Sequence, residues 1–564
     1  MVTAICQINS KYVHSSLAAW YLSASLEEAG YECLVYEGSI NESEDKLFSS
    51  LVELNADTYC FSSYIWNVTL VLSLSKRLKE YDEGVTIVLG GPEVAYRAES
   101  VLKDYPYIDY VISGEGEVPI VSLVSSCHKG ISPFENKSIS GRMGSEIIVG
   151  EPCVELTDPP CPYSSKYLDA LKGRIAYIET SRGCPFKCAY CLSGVQKMRF
   201  FDINRAKKDI LTLARASCKT VKFIDRTFNA DEERAYEIFL FILEERERGV
   251  IPPFVTFHFE IAGELISERT LALLKKVPVG LFQFEIGVQS FNKNTLRAIN
   301  RRTNTERLAL VIKELSSQNN IHIHTDLIAG LPYEDIDSFR CTYNELYRLG
   351  SHKLQLGFLK LLYGSSMRET PELYPCEYEK LPPYTVKSTP WLSAEDFEVI
   401  KSAERANDAI FYSARFNRTV EYLLKASRLD PFSLAVFLGE RVCSETSASL
   451  FSLFERIYGA CSALEGVDGG ILRDMLLFDR IAYDNSCVIP KSLRVEDARL
   501  PRIARFLREK YNVCDGVRMS VGILYSEGSV VFAKYDQKHP VSKRYRVYEI
   551  PYAEIEREMS DEGN

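Results

Sequence analysis

The sequence predicts an α/β chain with three parts: an N-terminal doubly wound, Rossmann-like domain, a partial (β/α)6 barrel and a mainly helical C-terminal domain. Strand-like and helical stretches alternate over residues 1–128, and they alternate again over residues 173–365. Residues 366–564 are mostly helical in pattern. Alternation of this kind is typical of parallel sheets that are covered by helices.

The composition is that of an ordinary globular protein. Of the 564 residues, 46% are hydrophobic and 26% are charged, as in typical globular domains. We see no apolar run near the roughly 18 residues that a membrane-spanning helix needs. The first 11 residues lack the basic and apolar regions of a signal peptide. We therefore expect a cytoplasmic protein that does not enter a membrane.

The charge balance and the cysteine content exclude further classes. The formal net charge of −10 disfavours a chain coated for nucleic acid, although a local basic patch remains compatible with it. Sixteen cysteines are too few for a disulfide scaffold of this length. They are compatible with a reducing compartment, where thiols serve as core residues or metal ligands.

The first 128 residues predict a doubly wound sheet. Residues 3–9 have the character of a buried strand, residues 15–29 carry a helical apolar stripe, and Gly30 ends that helix. Helix-like stretches separate further short apolar runs, which occur at residues 32–36, 58–62, 86–89 and 110–112. Ligands of such sheets bind outside the carboxyl ends of the strands.

Small and polar residues follow three of these strands at that edge. They form three groups: Ser62, Ser63 and Tyr64; Gly90, Gly91 and Pro92; Gly114, Glu115, Gly116 and Glu117. Glycine lets the backbone approach a bulky ligand closely. The same glycines are also compatible with tight turns that bind nothing.

The next two regions predict a linker and a barrel. Residues 129–172 are rich in Gly and Pro and have no sustained apolar pattern, which indicates connecting chain. Helical stretches then separate six strand-like runs, at residues 175–179, 220–224, 255–261, 281–288, 322–328 and 353–359. Six βα units predict an incomplete barrel, with functional residues at the carboxyl ends of its strands.

Three cysteines follow the first barrel strand at the spacing C-x3-C-x2-C. They are Cys184, Cys188 and Cys191, in a loop that Gly183 opens. Three thiolates on one short loop can hold three irons of a [4Fe–4S] cluster and leave the fourth iron open to an outside ligand. A zinc site would want a fourth Cys or His nearby, but the next cysteine, Cys218, is distant and lies in a helical pattern.

This loop resembles that of the radical S-adenosylmethionine (SAM) superfamily. The resemblance implies that Cys184, Cys188 and Cys191 are cluster ligands, that SAM binds the open iron, and that Tyr190 contacts SAM. It also implies that reduction of the cluster cleaves SAM to a 5′-deoxyadenosyl radical. An electron donor such as flavodoxin or ferredoxin would then be a partner.

The remaining SAM-side candidates lie near the ends of later barrel strands. They are Asp225, Glu260, Glu285, Gln289, Ser290 and Asp326. Residues 287–290 and 329–332 resemble the ribose-side and adenine-side motifs of the superfamily. Its Gly-Gly-Glu motif is missing, and residues 225–227 (Asp-Arg-Thr) stand in its place. Asp225 and Glu260 are equally compatible with buried, paired carboxylates. The strand histidines 258, 322 and 324 are expected in the core.

Residues 1–365 together resemble the cobalamin-binding branch of that superfamily. The resemblance implies that the first domain holds the corrinoid, with its nucleotide tail against the sheet and its face toward the barrel. The cobalamin-side residues would be the three strand-end groups given above, together with Asn9 and His14 in the loop after the first strand. The D-x-H-x-x-G motif that supplies a histidine to cobalt elsewhere is absent, and His14 is also compatible with a solvated loop position.

Methyl transfer is the chemistry most often attached to this architecture. An inert carbon resists polar attack on SAM, so a radical would first be made there by hydrogen abstraction, and methylcobalamin would then donate the methyl group. The cofactors carry the hard chemistry, while the protein orients them and excludes water. We therefore expect a [4Fe–4S] cluster, SAM and cobalamin as cofactors of a methyltransferase.

The C-terminal region, residues 366–564, resembles a domain of unknown function that follows the barrel in some cobalamin-binding radical SAM proteins. It contains two basic features. Arg502, Arg505 and Arg508 share one face of a predicted helix, and residues 538–548 interleave basic and aromatic residues, as single-stranded RNA binders do. A solvated charged face and a charged strand edge are the alternative interpretations.

Three functions remain as hypotheses, and the substrate is open among a tRNA, a peptide and a small molecule. The first is methyl transfer to carbon, with a cobalamin-dependent rearrangement as its variant. The second is modification of a tRNA nucleoside, of the methyl or methylthio type. A methylthiotransferase needs a second cluster, but Cys6, Cys33 and Cys60 fall within predicted strands. The third is a sensing module without turnover.

Overall fold

The structure is a computed structural model that describes residues 1–154, 158–216, 218–443, 449–514 and 516–561. The chain divides into two compact units. The first unit contains residues 1–273, 297–302 and 359–389. The second contains residues 274–296, 303–358 and 390–564.

The first domain is a doubly wound sheet, as the alternating pattern predicts. Its strands are β1 (Thr3–Asn9), β2 (Cys33–Ser39), β3 (Thr58–Ser62), β4 (Thr86–Gly90), β5 (Tyr110–Ile112), β6 (Ile139–Met143) and β7 (Glu146–Ile148). Its helices are α1 (Leu17–Glu28), α2 (Glu44–Glu53), α3 (Val68–Tyr81), α4 (Pro92–Ala95), α5 (Ala98–Asp104) and α6 (Glu117–Lys129). The strand order is β2-β1-β3-β4-β5-β6-β7.

The sheet is covered on both faces because its strands are apolar on both sides. All seven residues of β1 are buried. Ala4, Cys6 and Ile8 belong to one core cluster, whereas Ile5 belongs to the cluster on the opposite face. Strands β1 to β5 are parallel, so their carboxyl ends meet at one edge of the sheet.

The predicted linker is only partly a linker. Within residues 129–172, β6 and β7 extend the sheet as antiparallel strands, and α7 (Ser165–Ala170) follows. The strands have five and three residues, and Gly141 and Gly144 interrupt them. Such short segments leave no sustained apolar pattern in the sequence. Pairing of β6 with β5 and of β7 with β6 stabilises them instead.

The first barrel strands belong to the first unit. The elements here are β8 (Ala176–Ile178), β9 (Ser181–Arg182), β10 (Arg199–Phe200), α8 (Ile203–Arg215), β11 (Thr220–Phe223), α9 (Glu232–Glu247), β12 (Thr256–Ile261) and α10 (Glu268–Leu274), with single 3-10 turns at Phe228–Ala230 and Gly263–Leu265. Strand β11 pairs in parallel with β8 and with β12. The carboxyl ends of β8 and β11 therefore lie side by side.

The other barrel strands belong to the second unit. The elements are β13 (Phe282–Gln289), α11 (Lys293–Ala298, whose last two residues belong to the first unit), α12 (Thr305–Gln318), β14 (His322–Ala329), α13 (Ile336–Arg348) and β15 (Lys353–Phe358). Strand β14 pairs in parallel with β13 and with β15. All six predicted barrel strands are thus present, each within two residues of its expected bounds.

Residues 359–389 return to the first unit, and we call this segment the strap. It contains α14 (Ser366–Glu369), β16 (Glu377–Tyr378) and β17 (Val386–Ser388). Tyr384 is buried in the first unit, where its hydroxyl donates a hydrogen bond to the buried Glu93 carboxylate at 2.5 Å. Arg368 lies over the ring of Tyr363 at 3.5 Å and over that of Tyr384 at 4.7 Å. The strap is therefore anchored on the first domain.

The C-terminal region is mainly helical and ends in a small sheet. Its elements are α15 (Ala394–Ala406), a π-helical turn (Asn407–Phe411), α16 (Asn417–Ala426), α17 (Pro431–Arg441), α18 (Leu450–Cys461), α19 (Gly469–Tyr483), a 3-10 turn (Lys491–Leu493), α20 (Leu500–Lys510), β18 (Met519–Leu524), β19 (Ser529–Lys534), β20 (Tyr548–Pro551) and α21 (Tyr552–Asp561). The antiparallel sheet β18-β19-β20 was not predicted. Strand β19 is buried on both faces and gives no polar alternation.

In the two basic features of this region, several cations contact other residues of the chain, while two arginines are exposed. Arg508 donates to the Val517 carbonyl oxygen at 3.4 Å, whereas Arg502 and Arg505 are exposed on α20. Arg544 bonds the buried Asp479 carboxylate at 2.6 Å, and Lys538 lies over the Tyr483 ring at 4.0 Å. These contacts favour the interpretation as structural features over that of an RNA-binding surface.

None of the described helices is both long enough and apolar enough to cross a membrane.

A buried histidine makes the stability of the second unit depend on pH. Burial, with a smaller contribution from His539, lowers the pKa of His352 to about 4 from an unfolded value of 6.5. The ring accepts a hydrogen bond from the Ile323 amide at 3.0 Å. Since the unfolded chain binds the extra proton first, stability from this group is lost as the pH falls from 6.5 toward 4. We expect the melting temperature of H352Q to fall less over that range than that of the wild type.

Circular dichroism melts at half-unit pH intervals measure this difference, with H128Q as a control at a histidine of the first unit. Equal slopes for the wild type and H352Q would contradict the assignment.

Candidate functional site

The cysteine loop joins β9 to β10 and presents three sulfur atoms to hydrogen-bonding groups. The Sγ of Cys184 lies 3.3 Å from Thr227 Oγ1, and that of Cys188 lies 3.8 Å from Arg301 Nη1. The Ser193 amide donates to the Sγ of Cys191 at 3.4 Å. Hydrogen bonds to sulfur are among the features that tune iron–sulfur clusters. The described surroundings therefore suit three thiolate ligands.

Backbone contacts fix this loop within the first unit. The Ala189 amide donates to the Ile299 carbonyl oxygen at 2.9 Å, and the Asn300 side chain donates to the Lys187 carbonyl oxygen at 2.9 Å. Tyr190 is largely buried between the second and third cysteines, and burial raises its pKa well above the usual value. Its neutral ring is thus available as an apolar surface beside the sulfur atoms.

A cavity of about 320 Å³ lies in the first domain, between α1, α6 and the carboxyl ends of β3, β4 and β5. The sequence analysis singled out ten residues after these strands, and nine of them line this cavity: Ser62, Tyr64, Gly90, Gly91, Pro92, Gly114, Glu115, Gly116 and Glu117. Apolar side chains of the two helices, Leu17, Leu22 and Ile120, form its opposite wall. The three strand-end groups are therefore brought together around one space.

The glycines at this edge differ in whether an added Cβ atom would clash with the backbone. At Gly91 (φ +99°) an added Cβ would lie 2.6 Å from the Ser63 carbonyl oxygen, and at Gly114 (φ +81°) it would lie 2.3 Å from that of Cys153. Glycine is therefore required at positions 91 and 114, because the neighbouring backbone leaves no room for a side chain. At Gly90 an added Cβ would meet only the Ile112 carbonyl oxygen, at 3.8 Å. Gly90 and Val88 are alternate residues of β4 and so face the same side of the sheet, where both line the cavity. The missing side chain of Gly90 therefore leaves room there.

Three predicted cobalamin-side residues do not line this cavity. Ser63 is fully buried, and its amide donates to the Gly90 carbonyl oxygen at 2.7 Å. Asn9 donates to the Glu37 carboxylate at 3.2 Å. His14 Nδ1 lies 2.6 Å from the Tyr177 hydroxyl, and burial lowers the pKa of this histidine. All three residues hold neighbouring parts of the first unit together.

A second cavity, of about 570 Å³, lies between the same strand ends and the cysteine loop. Tyr190 and Cys191 line it from the loop, and Trp66, Tyr96 and Tyr363 line it from the first domain and the strap. The rings of Tyr64 and Trp66 stack at 4.5 Å in its wall. Five residues line both cavities: Tyr64, Pro92, Glu179, Arg182 and Ile224. The two spaces therefore adjoin.

A buried network of charged side chains forms the wall between these two cavities. No motif in the sequence predicted this network. Arg182 binds the carboxylates of Glu115 at 2.6 Å and of Glu117 at 2.5 Å, and Arg199 also binds Glu115 at 2.6 Å. Burial opposes ionisation of Glu115, but the two guanidinium groups hold its pKa below the usual value. Burial raises the pKa of Glu179, which Arg182 also contacts, to about 7.

The first two SAM-side candidates occupy different environments. Asp225 is fully buried and accepts hydrogen bonds from the Thr180 amide and hydroxyl and from the Ser181 hydroxyl, at 3.0, 2.7 and 2.6 Å. These bonds favour a structural role that fixes the end of β8. Glu260 is about one quarter exposed, with Lys222 Nζ at 3.5 Å and Arg226 Nη1 at 3.9 Å.

The other SAM-side candidates belong to the second unit. The Ser290 hydroxyl binds the buried Glu334 carboxylate and accepts from the Asn292 amide at 2.9 Å. Burial raises the pKa of Glu334 to about 7, although the Ser290 hydroxyl opposes the shift. Gln289 has a positive φ of 70°. Pattern alone did not single out Glu334.

Glu285, Asp326 and His324 converge within this unit, because alternate residues of neighbouring parallel strands face the same side. Their nearest ligand atoms lie within 4.8 Å of one another, and His324 Nε2 is 3.5 Å from Asp326 Oδ1. His324 is buried on β14, as expected of a core or sheet-face histidine. Its place in a polar cluster with two SAM-side candidates was not predicted.

Family models match all three parts of the chain. The B12 binding domain matches residues 5–124, and the radical SAM superfamily matches residues 178–346. The chain therefore contains a B12-binding domain and a radical SAM domain, as its motifs indicate. Residues 372–523 match a family described as a protein of unknown function, DUF4080. The resemblance stated from the sequence is thus confirmed in each part.

Two curated relatives are methyltransferases. The chain is 28% identical over 399 residues to the cobalamin-dependent radical SAM methyltransferase TokK of Streptomyces tokunonensis, covering 65% of this chain and 56% of TokK. It is 26% identical over 314 residues to the 2-(S-pantetheinyl)-carbapenam-3-carboxylate methyltransferase of Streptantibioticus cattleyicolor, covering 53% of this chain and 46% of that enzyme. The chain thus spans about half the length of these relatives.

Solved structures share the fold. The cobalamin-dependent radical SAM enzyme OxsB, with aqua-cobalamin and SAM bound, matches with a TM-score of 0.58 and 14% identity, covering 84% of this chain and 78% of OxsB. The radical SAM methyltransferase TsrM from Kitasatospora setae matches with a TM-score of 0.57 and 14% identity, covering 66% of this chain and 74% of TsrM.

The domains imply a [4Fe–4S] cluster, SAM and cobalamin as cofactors. The described residues fit these groups. Three cysteines with hydrogen-bonded sulfur atoms share one loop, which suits a cluster with one open iron. Apolar side chains line part of the first cavity, and the missing side chain of Gly90 leaves room at its edge. These features suit the nucleotide tail of cobalamin.

Replacing any one of Cys184, Cys188 and Cys191 by Ala is expected to remove most of the cluster, because two thiolates on this loop cannot hold the cube. After anaerobic reconstitution, iron and acid-labile sulfide should fall to about a quarter of the wild-type content or less. C218A is the matched control, since Cys218 is buried elsewhere and its thiol bonds the Leu213 carbonyl oxygen. An equal loss of iron in C218A would contradict the assignment of the ligands.

G90V is expected to weaken cobalamin binding by about tenfold or more, because its side chain would fill part of the first cavity. Equilibrium dialysis with hydroxocobalamin measures the affinity. G459A is the control, since its added Cβ meets no atom within 4 Å on α18. If G90V bound cobalamin as the wild type does while remaining folded, the first cavity would not be the cobalamin site.

Proposed function

We propose that this chain is a cobalamin-dependent radical SAM enzyme that methylates an unactivated carbon. The adjoining cavities are the observation that carries the proposal. The B12-binding domain supplies most of the lining of one cavity and the cysteine loop lines part of the other, and five residues line both. A corrinoid in the first and SAM at the second would therefore lie close to each other.

When bound, the cluster with SAM supplies a 5′-deoxyadenosyl radical and the cobalamin supplies a methyl group. The contribution of the chain itself is binding and orientation. Cys184, Cys188 and Cys191 would hold the cluster, and the buried ring of Tyr190 would present an apolar surface beside it. The aromatic wall of Tyr64, Trp66 and Tyr363 would exclude water from the second cavity.

The carboxylates of the barrel strands have separate roles in this proposal. Asp225 would keep the end of β8 in place through its bonds to Thr180 and Ser181. Glu260, which is partly exposed, is the better candidate for a direct contact to SAM. For Glu285, Gln289, Ser290 and Asp326, which belong to the second unit, the assignment to the SAM side stays a prediction from the sequence.

Modification of a tRNA nucleoside by a methylthio route has less support from the structure. Such an enzyme needs a second cluster, and Cys6, Cys33 and Cys60 are buried on β1, β2 and β3. Cys6 belongs to the core on one face of the sheet, whereas Cys33 and Cys60 belong to the core on the other. The three thiols cannot converge on one metal group without unfolding the sheet.

The partners proposed are a substrate of open identity and a one-electron donor such as flavodoxin or ferredoxin. The names of the relatives support methyl transfer to a small molecule, but a peptide or a tRNA is equally compatible with the described cavity. We also propose a cytoplasmic location, because a reducing compartment preserves thiolate ligands and an electron donor.

Anaerobic reconstitution with hydroxocobalamin and methyl-labelled SAM in a cell extract tests the function. We expect 5′-deoxyadenosine, S-adenosylhomocysteine and label in one extract component, which mass spectrometry identifies. C188A provides the blank, because its cluster would be incomplete. The molar ratio of the two SAM products separates methyl transfer from the alternatives.

Other outcomes would contradict the proposal in distinct ways. 5′-Deoxyadenosine without transfer of label to any extract component would indicate a rearrangement. Label in a nucleoside together with added sulfur would indicate a methylthiotransferase. Absence of both SAM products from fully loaded protein in every extract would favour a sensing module.

A further inference from the structure

The guanidinium of Arg182 uses all of its nitrogen atoms in buried ion pairs. Nη1 lies 2.6 Å from Glu115 Oε2, Nη2 lies 2.5 Å from Glu117 Oε1, and Nε lies 3.1 Å from both oxygens of Glu179. Only 13% of the Arg182 side chain is exposed, and the three carboxylates are equally or less exposed. Ion pairs in such low-dielectric surroundings are far stronger than pairs at the surface.

These partners come from parts of the chain that serve different ligands. Glu115 lies in the loop after β5 and Glu117 begins α6, and both residues line the first cavity. Glu179 directly follows β8. Arg182 ends β9 and stands two residues before Cys184. Arg199, the β10 residue paired with Arg182, binds Glu115 as well. The network thus connects the B12-binding loop to the start of the cysteine loop.

The same side chains form a common wall. Glu115, Glu117, Glu179 and Arg182 line the first cavity, and Glu179 and Arg182 also line the second cavity beside Cys191. A molecule that fills the first cavity removes water from one side of this wall. Loss of water strengthens the ion pairs of Arg182 and restricts the backbone that leads to Cys184.

We infer that Arg182 is a positioning residue that couples cobalamin binding in the first cavity to SAM binding at the cysteine loop. The inference rests on the proposed function, since it assigns these two ligands to the two cavities. Because binding free energies are linked reciprocally, each ligand increases the affinity for the other by the same factor. Couplings of this kind commonly reach about 5-fold to 150-fold.

The test compares SAM affinity with and without cobalamin in protein that carries a complete cluster. Equilibrium dialysis with labelled SAM gives the dissociation constant, and the electron paramagnetic resonance spectrum of the reduced cluster reports SAM at the open iron. We expect hydroxocobalamin to tighten SAM binding of the wild type by about fivefold or more. In R182K the ratio should approach one, because an ammonium group cannot reproduce the forked contacts.

R77K is the matched control, because Arg77 also binds two carboxylates, those of Glu44 and Asp45, on the surface of the first domain. It should retain the wild-type ratio. If R182K fails to hold a cluster, E117Q is the second variant, since it removes one ion pair and leaves the other two. In E117Q, the ratio of SAM affinities with and without cobalamin should be smaller than in the wild type but greater than one.

The outcomes separate the inference from the proposed function. If R182K weakened SAM binding equally with and without cobalamin, its role would be structural only and the inference would be wrong. A ratio of one in wild-type protein that binds both ligands would also overturn it. If the wild type bound neither cobalamin nor SAM, the proposed function itself would fail.

Discussion

The buried ion pairs of Arg182 are the interaction on which the arrangement of the first unit depends. A guanidinium taken out of water is costly unless every donor finds an acceptor. Here the acceptors are Glu115, Glu117 and Glu179, which come from two separate regions of the chain. Removing Arg182 would leave Glu117 and Glu179 without this counter-ion in the protein interior. The loop after β5 and the start of the cysteine loop are therefore held together by electrostatics as well as by packing.

The geometry of parallel strands explains why the candidate residues assemble at all. Carboxyl ends of β3, β4 and β5 meet at one edge, so residues far apart in sequence line one cavity. The same rule applies to β8 and β11, where Asp225 reaches the end of the neighbouring strand. In each case the strand supplies the position and the following loop supplies the chemistry.

Much of this could be predicted from the sequence, because alternation of apolar strands with helices is a local signal. The parallel strands of both sheets appear where that pattern predicts them, and the C-x3-C-x2-C spacing identifies the cysteine loop. Pairing between distant residues leaves no such signal. Nothing in the sequence indicates that Arg182 meets Glu115 and Glu117, that Glu285 lies beside His324, or that Ser290 meets Glu334. Strands β6 and β7 were missed because they are short and depend on pairing, of β6 with β5 and of β7 with β6.

The strap affects where the first unit ends along the chain, because it contacts the first domain. Glu93 is buried in the first domain, and Tyr384, nearly 300 positions later, donates a hydrogen bond to its carboxylate. A chain cut at the end of the barrel, near residue 365, would deprive that carboxylate of the phenol and would also remove the Arg368 stack on Tyr363. A version of the first unit that keeps this hydrogen bond therefore extends past residue 384, while the pairing of Glu93 with Arg97 does not need the strap. Residues matched to a family of unknown function are in this sense part of the cobalamin half of the molecule.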